Sequence, residues 1–422
     1  MATLSMASNA LSAGVGLRSS VKLSVGNQNG KEIARLSRKS SKLASPGGLK
    51  CGTGATGLVP PSRQRDSNDK VSSGMRVRIV ACAGLDSATG EGQTVEVVYD
   101  PQSRYNDLLD ELNKSGSMPP TNLTLFSPCK INVFLRVTRK RQDGYHDLAS
   151  LFHVISLGDI IKFSVSPSKT KDSLTTNASG VPLDEKNLII KALNLYRKKT
   201  GASTYFWIHL DKRVPTGAGL GGGSGNAATA LWAANQLCGQ LATEQHLQEW
   251  SGEIGSDIPV FFSKGAAYCT GRGEVVRDIP SPFDPSTPMV LIKPPEECST
   301  PEIFKNFKLS DSSQADPEEL LDNLIKHGIS QSLCINDLEA PAFQVLPSLK
   351  QLKDRISAAS RGRYEAVFMT GSGSTIVGVG DVEPPPFLYD EEQYNSVFVS
   401  EAYFLTRREN EWYEQPRSGD QE

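Results

Sequence analysis

No Cys-x-x-Cys pair occurs in this chain, and its seven cysteines, Cys51, Cys82, Cys129, Cys238, Cys269, Cys298 and Cys334, are odd in number and scattered. That pattern excludes a clustered zinc site and a disulfide framework, and it predicts reduced thiols. No run approaches 18 apolar residues, so neither a membrane-spanning helix nor a membrane partner is predicted. Acids are almost missing from the first 65 residues, where Glu32 stands alone among ten Lys and Arg. This deficit, with abundant Ser, is the composition of a plastid transit peptide, and the apolar stretch that a secretory signal needs does not follow Met1. Ile79-Val80-Ala81-Cys82-Ala83 has the character of a processing site, so residues 1–82 are expected to be a disordered leader, with the chloroplast stroma as destination. The first 80 residues hold 13 basic and 3 acidic residues, which leaves 32 basic and 44 acidic in the rest. A remainder so acidic lacks the basic face that a nucleic-acid partner requires.

What is present is glycine, concentrated in one stretch. Asp211-Lys-Arg-Val-Pro-Thr-Gly-Ala-Gly-Leu-Gly-Gly-Gly-Ser-Gly-Asn226 joins an alternating segment, Thr204 to Leu210, to the Ala-rich segment Asn226 to Leu237. The first has the period of a half-buried strand and the second the composition of a helix. Glycine lets main-chain N–H groups approach an anion, and a helix start adds unpaired donors and partial positive charge, so the loop predicts a polyphosphate cradle. A P-loop needs Lys-Ser or Lys-Thr after its last glycine, whereas Ser224-Gly225 follows Gly223. Gly217, Gly219 and Gly222 satisfy G-x-G-x-x-G, but no strand-borne acid stands at the distance a dinucleotide fold requires.

Pro215-x-x-x-Gly219-Leu220-Gly221, with the following glycines, Ser224 and the Ala-rich helix, resembles the ATP motif of the galactokinase, homoserine kinase, mevalonate kinase and phosphomevalonate kinase (GHMP) superfamily. Ser127-Pro-Cys-Lys-Ile-Asn-Val-Phe-Leu135, Asp143-Gly-Tyr-His146, Gly255-Ser-Asp-Ile-Pro-Val260 and Thr370-Gly-Ser-Gly373 extend the resemblance over roughly residues 120–380. They resemble the branch that phosphorylates a cytidine-diphosphate-linked methylerythritol in the non-mevalonate isoprenoid pathway.

The resemblance implies an α+β fold of two domains with the active site in the cleft between them, and ATP with Mg2+ as cofactors. Lys130 and Asp257 would be catalytic, Lys130 stabilising the transferring oxygens and Asp257 receiving the acceptor proton. ATP would meet Asn187, Lys212, Pro215, Thr216, Gly217, Ala218, Gly219, Leu220, Gly221, Gly222, Gly223, Ser224 and Gly225. The small-molecule substrate, through its cytidine diphosphate group, would meet Asn132, Tyr145, His146, Phe152, Thr300, Phe304, Gly371, Ser372 and Gly373. Within that set Tyr145 and Phe304 would stack on the two faces of the cytosine, and His146 would bond its edge. Another small-molecule kinase of the superfamily, or a catalytically weak nucleotide-binding relative, is the alternative. The residues alone carry less. Lys130 and Asn132 on an alternating strand read as a solvated face, and Asp257 before Ile-Pro reads as a helix cap.

One departure stands out. Relatives usually carry Ser-Ser-Asn-Ala-Ala where this chain has Ser224-Gly225-Asn226-Ala-Ala. A phosphate- or magnesium-binding hydroxyl would be missing at Gly225, and Gly225→Ser would restore it and stabilise the helix start. The expected organisation is a leader over 1–82, an extension over 83–119 with a short helix near 105–114, an ATP-binding domain over 120–287, a second domain over 288–385, and a C-terminal extension over 386–422.

Overall fold

The computed structural model describes residues 121–168 and 170–415, together with five strand segments before them. The chain divides into two compact units, Met1–Val71 and Ser72–Glu422. In the first, β1 (Thr3–Ser5), β2 (Ser20–Gln28) and β3 (Lys31–Lys39) form an antiparallel sheet in that order. Asn29-Gly30, a dipeptide favoured in tight hairpins, separates β2 from β3 in the sequence. In the second unit, β4 (Met75–Ile79) pairs antiparallel with β5 (Val95–Tyr99). The helix expected near 105–114, with most of the 83–119 extension, lies outside the described residues.

The body of the second unit begins with β6 (Leu123–Lys140) and β7 (His146–Ser166), two long strands joined through the Asp143-Gly144 turn. With β8 (Ser173–Thr176), β9 (Tyr205–Asp211), β10 (Ala266–Gly271) and β11 (Val275–Ile279) they make a six-stranded sheet in the order β11-β10-β7-β9-β8, with β6 paired to β7. Helices α1 (Leu188–Thr200), α2 (Gly222–Leu237) and α3 (Glu244–Ser251) bury their apolar faces against it. Asn187 caps α1 through its side chain to Ile189 N, and Thr243 caps α3 through His246 N. The ladder between β6 and β7 shifts register at Pro128/Cys129, Asn132/Phe134 and Val137/Arg139. Burial is continuous from Phe126 to Val137, so both faces of β6 are covered and Lys130 and Asn132 lie buried instead of on a solvated face.

A second sheet, β13-β14-β12-β15, consists of β12 (Pro288–Lys293), β13 (Ala366–Met369), β14 (Ile376–Val379) and β15 (Phe398–Tyr403). It carries α4 (Thr300–Asn306), α5 (Pro317–His327), α6 (Glu339–Val345), α7 (Pro347–Ser360) and α8 (Phe387–Asp390). The apolar-periodic stretch 338–359 reads as one helix by its period and is two in the structure. Pro347 has no N–H and starts α7, while Leu346 before it is extended at φ −130 and ψ 83. The C-terminal extension also proves integral. β15 pairs with β12 from Pro288↔Tyr403 to Lys293↔Phe398, and Trp412 stacks on Trp232 in the first sheet's core. One buried cluster, including Ile131, Phe134 and Leu151 with Leu291, Phe368 and Val377, joins the two sheets. The cleft is the open rim of that joint.

Candidate active site

The phosphate loop is held from below by one carboxylate. Asp159 is fully buried where β7 passes Gly158-Asp159, and it accepts from Arg213 N (2.7 Å), Val214 N (2.8 Å), Lys212 Nζ (2.7 Å) and Asn226 Nδ2 (2.8 Å). It thereby ties the end of β9 to the first turns of α2. That helix starts at Gly222, four residues before the expected Asn226, so several of the loop's glycines are helical. Gly221 caps it at φ +65, and a Cβ there would lie 3.0 Å from Lys130 Cε. Gly219, at φ +74, sits beneath a second glycine loop, residues 370–375 between β13 and β14, and its Cβ would meet Thr370 O at 2.5 Å. Only glycine meets both demands at these positions.

Two cavities flank the loop. The larger, about 380 Å3, runs from Val181, Pro182 and Leu188 past Lys186, Asn187 and Lys212 to the loop residues 215–224 and Asn226. An apolar end and a cradle of N–H groups suit a nucleotide base and its phosphates. Of the ATP residues implied by resemblance, all but one line this cavity. Asn187 is committed to its capping role, accepting from Ile189 N at 2.8 Å and donating to Pro182 O at 2.6 Å.

The exception is Gly225. It is buried on the far side of α2, and a Cβ there would fall deep inside van der Waals contact of the Pro128 carbonyl and 3.3 Å from the Phe261 ring. A serine at 225 would point into strand β6 and not toward phosphate, so no ligand hydroxyl is missing. The expected gain from Gly225→Ser is thereby reversed.

The smaller cavity, about 230 Å3, shares Gly217, Gly219 and Gly221 with the first. Lys130 enters it with 3% of its side chain exposed. Its Nζ donates to Asn132 Oδ1 at 2.7 Å, lies over the Phe152 ring at 4.9 Å and stands 3.4 Å from Asp257 Oδ2. Asn132 is fixed in turn, donating from Nδ2 to Ser150 Oγ and from its main chain to Thr370 Oγ1, both at 2.8 Å. Asp257 keeps 38% exposure, and it caps nothing, since the 3-10 turn Pro259–Phe262 has Ile258 before it with no side-chain cap. The second loop closes the cavity through Gly371, Ser372 and Gly373, with Ser372 Oγ 2.7 Å from Thr300 Oγ1.

The aromatic set is arranged differently from the implied sandwich. His146 stacks on Phe304 at 5.2 Å and meets Phe307 edge-on at 5.6 Å. Burial, and then Lys140, lower the His146 pKa below its ordinary value and favour the neutral ring. Tyr145 is 57% exposed and lies under the Arg272 guanidinium at 5.2 Å. Phe304 and Phe152 line the cavity, the latter from beneath Lys130.

Several contributors went unread in the sequence. Asp159 is an acid within the apolar later half of β7, a legible oddity. Asn336, which holds the second loop by donating to Met369 O and Gly371 O, and Arg272, which lines the smaller cavity, carry no local signal.

The family described as GHMP kinases N terminal domain matches residues 187–265. The chain is 67% identical to 4-diphosphocytidyl-2-C-methyl-D-erythritol kinase, chloroplastic/chromoplastic, of Solanum lycopersicum, over 81% of its length and 84% of the relative. It is 44% identical to the Protochlamydia amoebophila kinase of the same name, over 69% and 93% respectively. A solved structure of 4-(cytidine 5'-diphospho)-2C-methyl-D-erythritol kinase is 28% identical, with a TM-score of 0.53 over 67% of this chain and 99% of that one. With its two-domain α+β fold, its phosphate loop and these relatives, the chain belongs to the 4-diphosphocytidyl-2-C-methyl-D-erythritol kinase family of GHMP small-molecule kinases.

Proposed function

We propose that the cleft transfers the γ-phosphoryl group of ATP to the 2-hydroxyl of 4-diphosphocytidyl-2-C-methylerythritol, in the chloroplast stroma. The observation that carries this reading is the Lys130–Asp257 pair, 3.4 Å apart beside the glycines common to both cavities. The larger cavity would hold ATP and the smaller the acceptor alcohol, so transfer would occur at their junction.

A carboxylate is a weaker base than an alkoxide by about 12 pKa units, about 16 kcal/mol, so Asp257 does not ionise the alcohol beforehand. It orients the hydroxyl and takes its proton late, as the departing phosphoryl group makes that oxygen acidic. Lys130, fixed by Asn132 and Phe152, places its ammonium where charge gathers on the transferring oxygens. Among the described residues no group of three or more His, Cys, Asp or Glu side chains is arranged to hold a metal ion. Magnesium would arrive on the nucleotide, where it would neutralise phosphate charge. Phe304 lines the smaller cavity with His146 stacked on it, and this aromatic group, with the exposed Tyr145 under Arg272, would recognise the cytosine.

Asp257→Asn keeps the size and loses the proton acceptor. Turnover should fall by about 10² to 10⁴ while ATP affinity stays within a few fold. Near-normal turnover in a coupled assay with the cytidine-linked acceptor would remove Asp257 from the mechanism.

A further inference from the structure

The segment between β12 and α4 reaches across the cleft to the phosphate loop. Its main chain is held by Lys293, whose buried Nζ donates to the carbonyls of Pro294 (3.0 Å), Pro295 (3.4 Å) and Glu296 (3.5 Å), and by Ser374 Oγ, which donates to Glu296 O at 2.6 Å. The next residue, Glu297, is thereby aimed at the loop. Its Oε1 accepts from Thr216 Oγ1 at 3.0 Å. Gly217 beside it has φ +58, and a Cβ there would lie 2.7 Å from both Cγ and Oε2 of Glu297. The carboxylate thus packs on one of the three glycines that line both cavities.

A carboxylate beside a phosphate seat is repulsive to a bare polyphosphate. Beyond the γ-phosphoryl group that Lys130 serves, few cations are left for the polyphosphate. Lys212 is spent on buried Asp159, and Lys130 is bonded to Asn132 and faces Asp257, which leaves Lys186 on the nucleotide side. We infer that Glu297 is a specificity-determining residue that makes the phosphate loop select metal-complexed over metal-free nucleotide. Its fixed negative charge opposes an unshielded polyphosphate and tolerates one whose charge a divalent cation has reduced. The inference rests on the proposed reading of the larger cavity as an ATP site.

The test is equilibrium binding of ATP to the full chain by calorimetry, once with excess EDTA and once with excess MgCl2. Glu297→Gln keeps an oxygen to accept from Thr216 and removes the charge, and Glu297→Ala removes both. Glu296→Gln removes an equal charge one residue away, where the main-chain carbonyl carries the loop contact. In Glu297→Gln the Kd for metal-free ATP should fall about three- to tenfold while that for MgATP changes less than about twofold. Glu297→Ala should show the same loss of preference, and Glu296→Gln should leave both constants unchanged. An unaltered ratio of the two constants in Glu297→Gln overturns the inference, as does a change confined to the Ala variant, which would mark a steric role. Failure of the unsubstituted chain to bind ATP in either medium would overturn the ATP reading itself, and the inference with it.

Discussion

Gly225 shows how one atom decides the sign of a substitution. Replacing a helical glycine ordinarily stabilises by up to about 1 kcal/mol, because the unfolded chain loses freedom. Here the added Cβ meets the Pro128 carbonyl, a main-chain atom of β6 that no rotamer change can withdraw. Overpacking against a fixed neighbour costs about 1–3 kcal/mol, so the clash wins. Gly225→Ser should lower the melting temperature of the free protein and leave the added stabilisation by MgATP unchanged. Thermal melts with and without MgATP decide it, and a larger MgATP shift in the variant would revive the missing hydroxyl. Lys130 and Asn132 were beyond periodicity for a related reason. Strict alternation assigns one face of β6 to solvent, whereas both faces are covered from Phe126 to Val137, and only the match to a known motif pointed to chemistry there. Asp257 was ambiguous because an acid before Ile-Pro fits a cap as well as a base.

At the level of elements, local rules located the parts and long-range pairing assigned their duties. The strand entering the phosphate loop, the helices at 188–200 and 317–327, and the hairpin through Gly271-Arg272-Gly273 were legible because each has a clean period and a distinct cap or turn. The last element was not. Phe398–Tyr403 follows a Pro-rich and acidic stretch, its alternation is imperfect, and only pairing with β12 makes it a strand. Beyond it the chain is bolted to the first sheet. Arg407 is buried against Glu244 and the carbonyls of Phe262 and Ser263, Trp412 Nε1 donates to Phe126 O at 2.9 Å, and Tyr413 OH donates to Ser263 O at 2.8 Å. Because β15 belongs to one sheet and Trp412 to the other core, this tail straps the two halves together. Trp412→Ala should cost about 3–5 kcal/mol, the range for truncating a buried aromatic. Urea unfolding would measure it, and a loss below about 1 kcal/mol would show that the tail lies on the surface and bears no load.

Across the whole molecule, the joint between the sheets contains a buried histidine that ought to make stability depend on pH. His153 is fully buried between Phe404 (4.6 Å) and Phe283 (5.8 Å), where β7 meets β10 and the chain leaving β15. Its Nδ1 lies 2.7 Å from Val154 O and its Nε2 2.9 Å from Ser281 Oγ, so a neutral ring donates to the carbonyl and keeps a lone pair toward the hydroxyl. Burial pushes its pKa down to about 4, against an ordinary 6.5. A depressed pKa means that the unfolded chain binds the proton more readily. The contribution of the neutral ring is therefore complete above pH 6.5 and drains away as pH falls toward 4, by about 2 kcal/mol at pH 5 and about 3 kcal/mol in all. His146, also depressed by burial, acts in the same direction, whereas Asp172 and Asp278, raised by burial, oppose it. Glu391, held near 2 by Arg355, loses its contribution only below the ordinary carboxylate range. Comparison with a variant that lacks only this ring, and keeps the carboxylates, isolates the His153 imidazole within pH 5–7. His153→Gln keeps a donor for Val154 O and cannot titrate, so its absolute stability is immaterial and its slope is diagnostic. Urea midpoints measured at pH 7 and pH 5 should separate widely in the unsubstituted protein and draw together in His153→Gln. Equal separation in the two proteins would mean that His153 takes up its proton as readily in the fold as in the unfolded chain, and that acid acts on this molecule elsewhere than at the joint between its sheets.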